Sequence, residues 1–187
     1  MHIKLLTKYY FINTLDTNNL QNQDRETIII YRNYSSSNIN IHKLIKLKNF
    51  LRKKGNKLFL ANNFKLALKL GLDGVYIPSF NKDFNHLAYS TSLNFAVIGS
   101  AHNLKEIRIK ELQQIQSIFI SSVFKKNKNY LGLNKFKIFG KYTEKKVVAL
   151  GGISKKNIKQ IKLTNASSIA GISYFEQKKR PLKRGLF

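Results

Sequence analysis

Short apolar runs alternate with amphipathic stretches along the chain, and this alternation predicts strands separated by helices. The runs are rich in β-branched and aromatic residues and contain few polar interruptions, which is typical of strands buried on both faces of a parallel sheet. Eight runs have this character: 9–12, 27–31, 58–61, 74–77, 95–98, 117–120, 147–150 and 168–172.

The stretches between the runs carry helix signals. One helix face is visible in the spacing of Leu44, Leu47 and Leu51. Gly71 follows a second apolar-periodic stretch and is expected to act as its C-terminal cap. Ser154 is a favourable N-cap residue, so we expect a helix over 155–163.

Eight strands that alternate with helices fit either a closed (β/α)8 barrel or an open doubly wound sheet. Neither GxGxxG nor GxxxxGK[ST] follows the first run, which argues against the open nucleotide-binding sheets. We therefore predict a single-domain α/β TIM barrel over 1–174 and a basic tail over 175–187. Pro181 predicts that the last helix is short or missing, and the uncovered flank would then pack against a second copy of the chain.

The amino-acid composition and net charge limit the kinds of function that the protein can have. The 187 residues include 34 Lys and Arg against 9 Asp and Glu, a formal charge of +25, and no Cys. The absence of Cys excludes disulfides and thiolate metal sites. The charge indicates an anionic partner, although the lysines are spread over the chain, so we expect only weak, non-specific binding to nucleic acid. No apolar run reaches the ~20 residues of a membrane span and no secretory leader is visible, which predicts a soluble cytoplasmic protein.

Two adjacent glycines, Gly151 and Gly152, stand directly after the seventh run. Residues without Cβ let backbone N–H groups approach an anion, and a following helix N-terminus adds positive charge. Ile172 and Ser173 close the eighth run. Because neighbouring parallel strands end at the same edge of a barrel, these four residues predict a phosphate site. The alternative is that the glycines form only a tight turn.

Segments in the same order and at the same spacing occur in one known family. They are Phe59–Ser79 (FLANNFKLALKLGLDGVYIPS), Val97–Asn103 (VIGSAHN), and Val147–Ser154 followed by Ala166–Ser173. Together they resemble the thiamine phosphate synthase/TenI family from about residue 8 to residue 174. The resemblance implies a TIM-barrel transferase of thiamine biosynthesis, which joins hydroxymethylpyrimidine diphosphate to thiazole phosphate and releases pyrophosphate.

The resemblance also implies roles for single residues. The catalytic candidates that it assigns are Arg32, Asn62, Ser100 and His102. Arg32 would clamp a diphosphate, because a guanidinium can donate two parallel hydrogen bonds to it. Lys126 and Lys128 stand where the family has two threonines, and we expect them beside the bound phosphates.

The family's two Mg²⁺-binding aspartates fall on Asn63 and Asn81. Mg²⁺ prefers carboxylate oxygens, so we predict no metal site at these residues, although the resemblance itself implies Mg²⁺. Three interpretations stay open. The lysines replace the metal as counter-charge in a transferase, or the protein is a TenI-like binder of thiazole phosphate that has lost the transfer reaction, or it is a basic protein that binds polyanions.

Overall fold

The computed structural model describes residues 6–34 and 39–176, which form a closed barrel of eight parallel strands. Each strand pairs with the next one along the chain, and β8 closes the ring by pairing with β1. The strands are β1 Thr7–Ile12, β2 Thr27–Tyr31, β3 Leu58–Ala61, β4 Gly74–Ile77, β5 Ala96–Ala101, β6 Ser117–Ile120, β7 Lys146–Leu150 and β8 Ser168–Gly171. The predicted TIM barrel is confirmed, because every apolar run forms one of its strands.

Helices cover the outside of the ring. They are α1 Ile41–Lys54, α2 Phe64–Lys69, α3 Leu104–Leu112, α4 Gly132–Lys141 and α5 Ile158–Lys162, with a short 3₁₀ helix at Asn85–Ala88. The three leucines of α1 are buried as their spacing predicted, and Gly71 stands after α2 with a φ of 57°. Among the residues described, no helix has both the length and the apolar character of a membrane span.

The last helical segment differs from the prediction. Ser154 does not cap it, because the Asn157 side chain accepts a hydrogen bond of 2.8 Å from the Ser154 N–H and holds this stretch as a turn. Helix α5 begins only at Ile158 and has 5 residues. Such a short helix contributes little dipole, so the helix-terminus part of the phosphate prediction falls away.

The described part of the chain has no helix in the five residues 172–176 that follow β8, so the expectation of a short or missing last helix stays a prediction. A turn after the strand brings Phe175 onto Tyr10, with ring centroids 5.0 Å apart. Phe175 is buried by this contact and packs with the barrel. The rest of the predicted basic tail, 177–187 with its Pro181, lies outside the described residues.

Aromatic rings fill the interior of the barrel. The Phe119 ring lies 4.9 Å from Tyr9, 5.4 Å from Tyr76 and 5.9 Å from Phe11, all in edge-to-face contacts. Phe11 also meets Tyr76 at 5.1 Å. This geometry is the favoured one for aromatic pairs. The rings form a buried aromatic floor beneath the end of the barrel where the strands terminate.

Replacing Phe119 with Ala is expected to lower the free energy of unfolding by about 3–5 kcal/mol, because it removes the ring at the centre of this floor. Urea unfolding followed by circular dichroism measures the loss. The control is Leu93→Ala, since Leu93 is fully exposed, and its effect should stay below about 0.5 kcal/mol. Equal effects of the two substitutions would contradict the central packing role of Phe119.

Candidate functional site

A pocket of about 260 Å³ opens at the carboxyl-terminal end of the strands, between β7, β8 and the loop after β6. Five of the sequence-predicted site residues line it: Arg32, Gly151, Gly152, Ile172 and Ser173. Sequence reasoning missed other lining residues, among them Ser121, Ser122, Lys125 and Asn127. The pocket therefore joins the glycine pair to the end of the next strand, as expected for an anion site in a barrel.

The glycine pair is needed because the β6 loop packs directly against it. Gly151 and Gly152 have φ values of 100° and 74°, which L side chains rarely adopt. A Cβ on Gly151 would lie 2.9 Å from the Ser122 Cα, and one on Gly152 would lie 2.6 Å from the Lys125 nitrogen. The Gly151 carbonyl in turn accepts hydrogen bonds from the N–H groups of Phe124 at 2.9 Å and Lys125 at 3.3 Å. Close backbone approach therefore fixes both glycines.

The same loop brings a cation and polar groups to the pocket. Lys125 lines it, whereas the predicted Lys126 and Lys128 are exposed and do not. The reason is the contact with Gly151, which places Lys125 beside the glycines. The backbone N–H groups of Gly152 and Ser173 make no hydrogen bond within the described part of the chain, so both can donate to a ligand.

Arg32 supplies the second cation. Its guanidinium carbon lies 5.2 Å from the Phe11 ring centroid and 5.9 Å from that of Tyr34, within cation–π range of both. Its Nε donates a hydrogen bond of 3.4 Å to the Asn13 side chain. These contacts hold the guanidinium over the aromatic floor at the edge of the pocket.

Ser100 and His102 lie on β5 and just after it, outside the pocket lining. Ser100 is buried beside Tyr76. Burial raises the pKa of Tyr76 to about 12, and the Ser100 hydroxyl and the Arg32 charge oppose part of this rise. The His102 Nδ1 lies 2.9 Å from both the hydroxyl and the carbonyl oxygen of Ser121. Because Ser121 lines the pocket, His102 contacts the pocket wall through Ser121 without lining the pocket itself.

The asparagines at the family's metal positions are engaged in polar contacts of their own. The Asn63 side chain caps α2 by accepting a hydrogen bond of 3.0 Å from the Leu66 N–H. The Asn81 amide donates a hydrogen bond of 2.7 Å to the Asn62 side-chain oxygen. Residues 6–34 and 39–176 contain no group of three or more His, Cys, Asp or Glu that could hold a metal ion. Asn63 and Asn81 present amide oxygens, whereas Mg²⁺ favours carboxylate ligands.

Most of the described basic residues do not line the pocket. Exposed lysines are distributed over the outer helices, for example Lys43, Lys46, Lys135, Lys141, Lys159 and Lys162. This scattered placement is typical of solvated helix faces rather than of a focused polyanion surface. Arg32 and Lys125 are distinguished from them by their position at the carboxyl ends of the strands.

Comparison with known proteins places these features in a family. The sequence model described as thiamine monophosphate synthase matches residues 15–175. A protein named "Putative thiamine-phosphate synthase 2" from Aquifex aeolicus is 34% identical over 142 residues, which cover 72% of this chain and 75% of that protein. The thiamine-phosphate synthase of Prochlorococcus marinus is 32% identical over 130 residues, covering 67% of this chain and 37% of that protein.

The solved structure of a thiamine phosphate pyrophosphorylase from Pyrococcus furiosus superimposes with a TM-score of 0.70 and 22% identity. The superposition covers 89% of this chain and 86% of the Pyrococcus furiosus chain. A thiamine phosphate pyrophosphorylase from Bacteroides thetaiotaomicron superimposes with a TM-score of 0.62 at 15% identity. This superposition covers 97% of this chain and 90% of the Bacteroides chain. At such identities these two likenesses support the barrel fold.

The substitution Gly152→Ala is expected to weaken binding of inorganic phosphate about tenfold, because the new methyl group would push the β6 loop away from the pocket. The matched control is Gly171→Ala, which alters the same pocket at a position where a Cβ would meet nothing nearer than 3.9 Å. Calorimetry gives the affinities and a thermal melt reports stability. Equal phosphate affinity of the two variants would show that loop packing on Gly152 does not shape the site.

Proposed function

This chain belongs to the thiamine monophosphate synthase family, and from that premise we propose that it binds thiazole phosphate and joins it to hydroxymethylpyrimidine diphosphate, forming thiamine phosphate and pyrophosphate. The observation that carries this proposal is the pocket in which the glycine pair, Ser173, Lys125 and Arg32 converge.

The pocket has the chemistry of a monophosphate site. The N–H groups of Gly152 and Ser173 offer two neutral donors, and Lys125 adds a positive charge. Hydrogen bonds from N–H groups and a cation to a phosphate oxygen are charge-assisted and therefore strong. The phosphate group of thiazole phosphate would occupy this pocket. The thiazole ring would then extend over the aromatic floor toward Phe11.

The proposed reaction places a second group of negative charges near Arg32. The thiazole nitrogen uses its lone pair to form a bond to the pyrimidine methylene carbon, while the carbon–oxygen bond to the diphosphate breaks. The leaving pyrophosphate keeps the electrons of that bond. Arg32, held over Phe11 and Tyr34, can bind the departing oxygens bidentately and stabilise their growing charge.

A second candidate function is binding of thiazole phosphate without transfer, as in a TenI-like protein. The observation that favours it is that amides, those of Asn63 and Asn81, stand where the resemblance implies the family's metal-binding aspartates. The phosphate pocket is common to both functions, so a binding measurement tests their shared part and turnover separates them.

The proposed partners are accordingly phosphorylated thiazole and pyrimidine compounds. Nucleic-acid binding has no support beyond the net charge of +25, and the scattered lysines favour the small-molecule function over a polyanion-binding one. Association with a second copy of the chain and a cytoplasmic location stay predictions.

Purified protein is expected to bind thiazole phosphate, and Lys125→Met should weaken that binding about tenfold by removing a cation from the phosphate. Calorimetry measures both affinities. Lys128→Met is the matched control, since Lys128 is an exposed lysine of the same loop that does not line the pocket, and its affinity should stay within about twofold of the original. Absence of binding to the unaltered protein would remove both candidate functions.

Turnover is expected to be independent of divalent cations. In a coupled assay with both substrates, the rate with Mg²⁺ and the rate with excess EDTA should agree within about twofold, because the amides present do not fit the ion. Product formed only with Mg²⁺ would contradict this assignment of the donors. If no product forms under either condition while thiazole phosphate still binds, the binding-only function is favoured.

A further inference from the structure

A lysine is completely buried behind the site. Lys110 on α3 is 0% exposed. Its Nζ donates hydrogen bonds of 2.7 Å to the Asn81 carbonyl oxygen and 2.7 Å to the Gln113 side-chain oxygen, neither of which carries a charge. Burial lowers the pKa of Lys110 to about 8, and the carboxylates of Glu106 and Asp83 oppose this shift. Among the described residues Lys110 has no ion-pair partner, and burying a charged group in this way is costly.

Gln113, also 0% exposed, ties down more of the same segment. Its Nε2 donates to the Asp83 carbonyl oxygen at 2.7 Å and to that of Asn81 at 3.3 Å. Its own carbonyl oxygen lies 2.8 Å from the His86 Nε2. Lys110 and Gln113, which we call the α3 anchor, thus hold the segment 81–86 at the backbone carbonyls of Asn81 and Asp83 and at the His86 side chain.

The anchored segment reaches the mouth of the barrel. The Asn81 amide donates a hydrogen bond of 2.7 Å to the side-chain oxygen of Asn62, directly after β3. Asn62 has a φ of 56°, and its N–H donates to the Tyr76 carbonyl oxygen at 2.8 Å. A continuous path of hydrogen bonds therefore runs from α3 through Asn81 to Asn62.

Gly99 leaves room for the Lys110 side chain. Gly99 on β5 has no side chain, and a Cβ there would lie 3.0 Å from the Lys110 Cδ. The lysine stem therefore crosses β5 at a glycine and delivers its ammonium group to the Asn81 carbonyl. An apolar residue could fill the same space, but it could not hold that carbonyl oxygen.

We propose that Lys110 and Gln113 are positioning residues that fix Asn81, and through it the Asn62 side chain, for binding an anionic ligand at the barrel mouth. This inference rests on the proposed function, because the diphosphate of that reaction is the anion that Asn62, a catalytic candidate by the family resemblance, would bind. A hydrogen bond between two exposed side-chain amides is readily replaced by hydrogen bonds to water. Anchoring the Asn81 backbone reduces the conformations that the pair must give up when a ligand binds.

The first test needs no ligand. Lys110→Met keeps most of the apolar stem and removes the ammonium group, so amide hydrogen exchange over 81–86 should accelerate about tenfold. Gln113→Met is the second variant, in case the first does not fold. Lys105→Met, an exposed lysine of the same helix, is the matched control and should leave the exchange unchanged. Unchanged exchange in both anchor variants would overturn the proposal.

The second test asks whether the anchor acts through Asn62. Calorimetry with inorganic pyrophosphate should show that Lys110→Met weakens binding about tenfold in the original chain but less than about twofold in an Asn62→Ala background. A purely structural effect would be equally large in both backgrounds and would overturn the inference. If the unaltered protein binds no pyrophosphate, the proposed transfer function fails as well, whereas binding with additive effects defeats the inference alone.

Discussion

The contact between the glycine pair after β7 and the loop after β6 determines the shape of the site. Gly151 and Gly152 have no side chains, so the backbone of the β6 loop can pack directly against theirs. The Gly151 carbonyl accepts hydrogen bonds from this loop. That approach carries Lys125 to the pocket and leaves the Gly152 N–H without a partner in the described chain. The cation and the neutral donor therefore reach the pocket through one packing constraint, and a side chain larger than hydrogen at Gly152 would displace both.

The aromatic floor complements this constraint by holding the second cation. Phe11 contacts Tyr76 and Phe119 below and lies within cation–π range of Arg32 above. An ion near an apolar surface is screened less than one in open water, so its attraction for phosphate oxygens is stronger there. Arg32 thus differs from the exposed lysines of the outer helices, although the net charge counts them equally.

The strands could be predicted from sequence because strands buried on both faces leave a continuous apolar signal, and 27–31, 58–61 and 117–120 match β2, β3 and β6 to the residue. The start of α5 could not, because it depends on a hydrogen bond from the Ser154 N–H to the Asn157 side chain. Likewise, the choice of Lys125 over Lys126 and Lys128 depends on how the loop meets the glycines. Lys110 gave no signal, since a lysine in a helix normally indicates a solvent-facing position.

The amides at the barrel mouth join two of its loops by a direct hydrogen bond. Two side chains that present only acceptor oxygens to each other repel unless a positive ion lies between them. Asn81 instead presents an N–H group to the Asn62 oxygen, so the loops after β3 and β4 are joined directly. The positive charge is retained one step behind the mouth, on Lys110, which holds the backbone of the donor residue. Neutral amides thus join the two loops at the mouth, and the cation behind them holds one of the two in place.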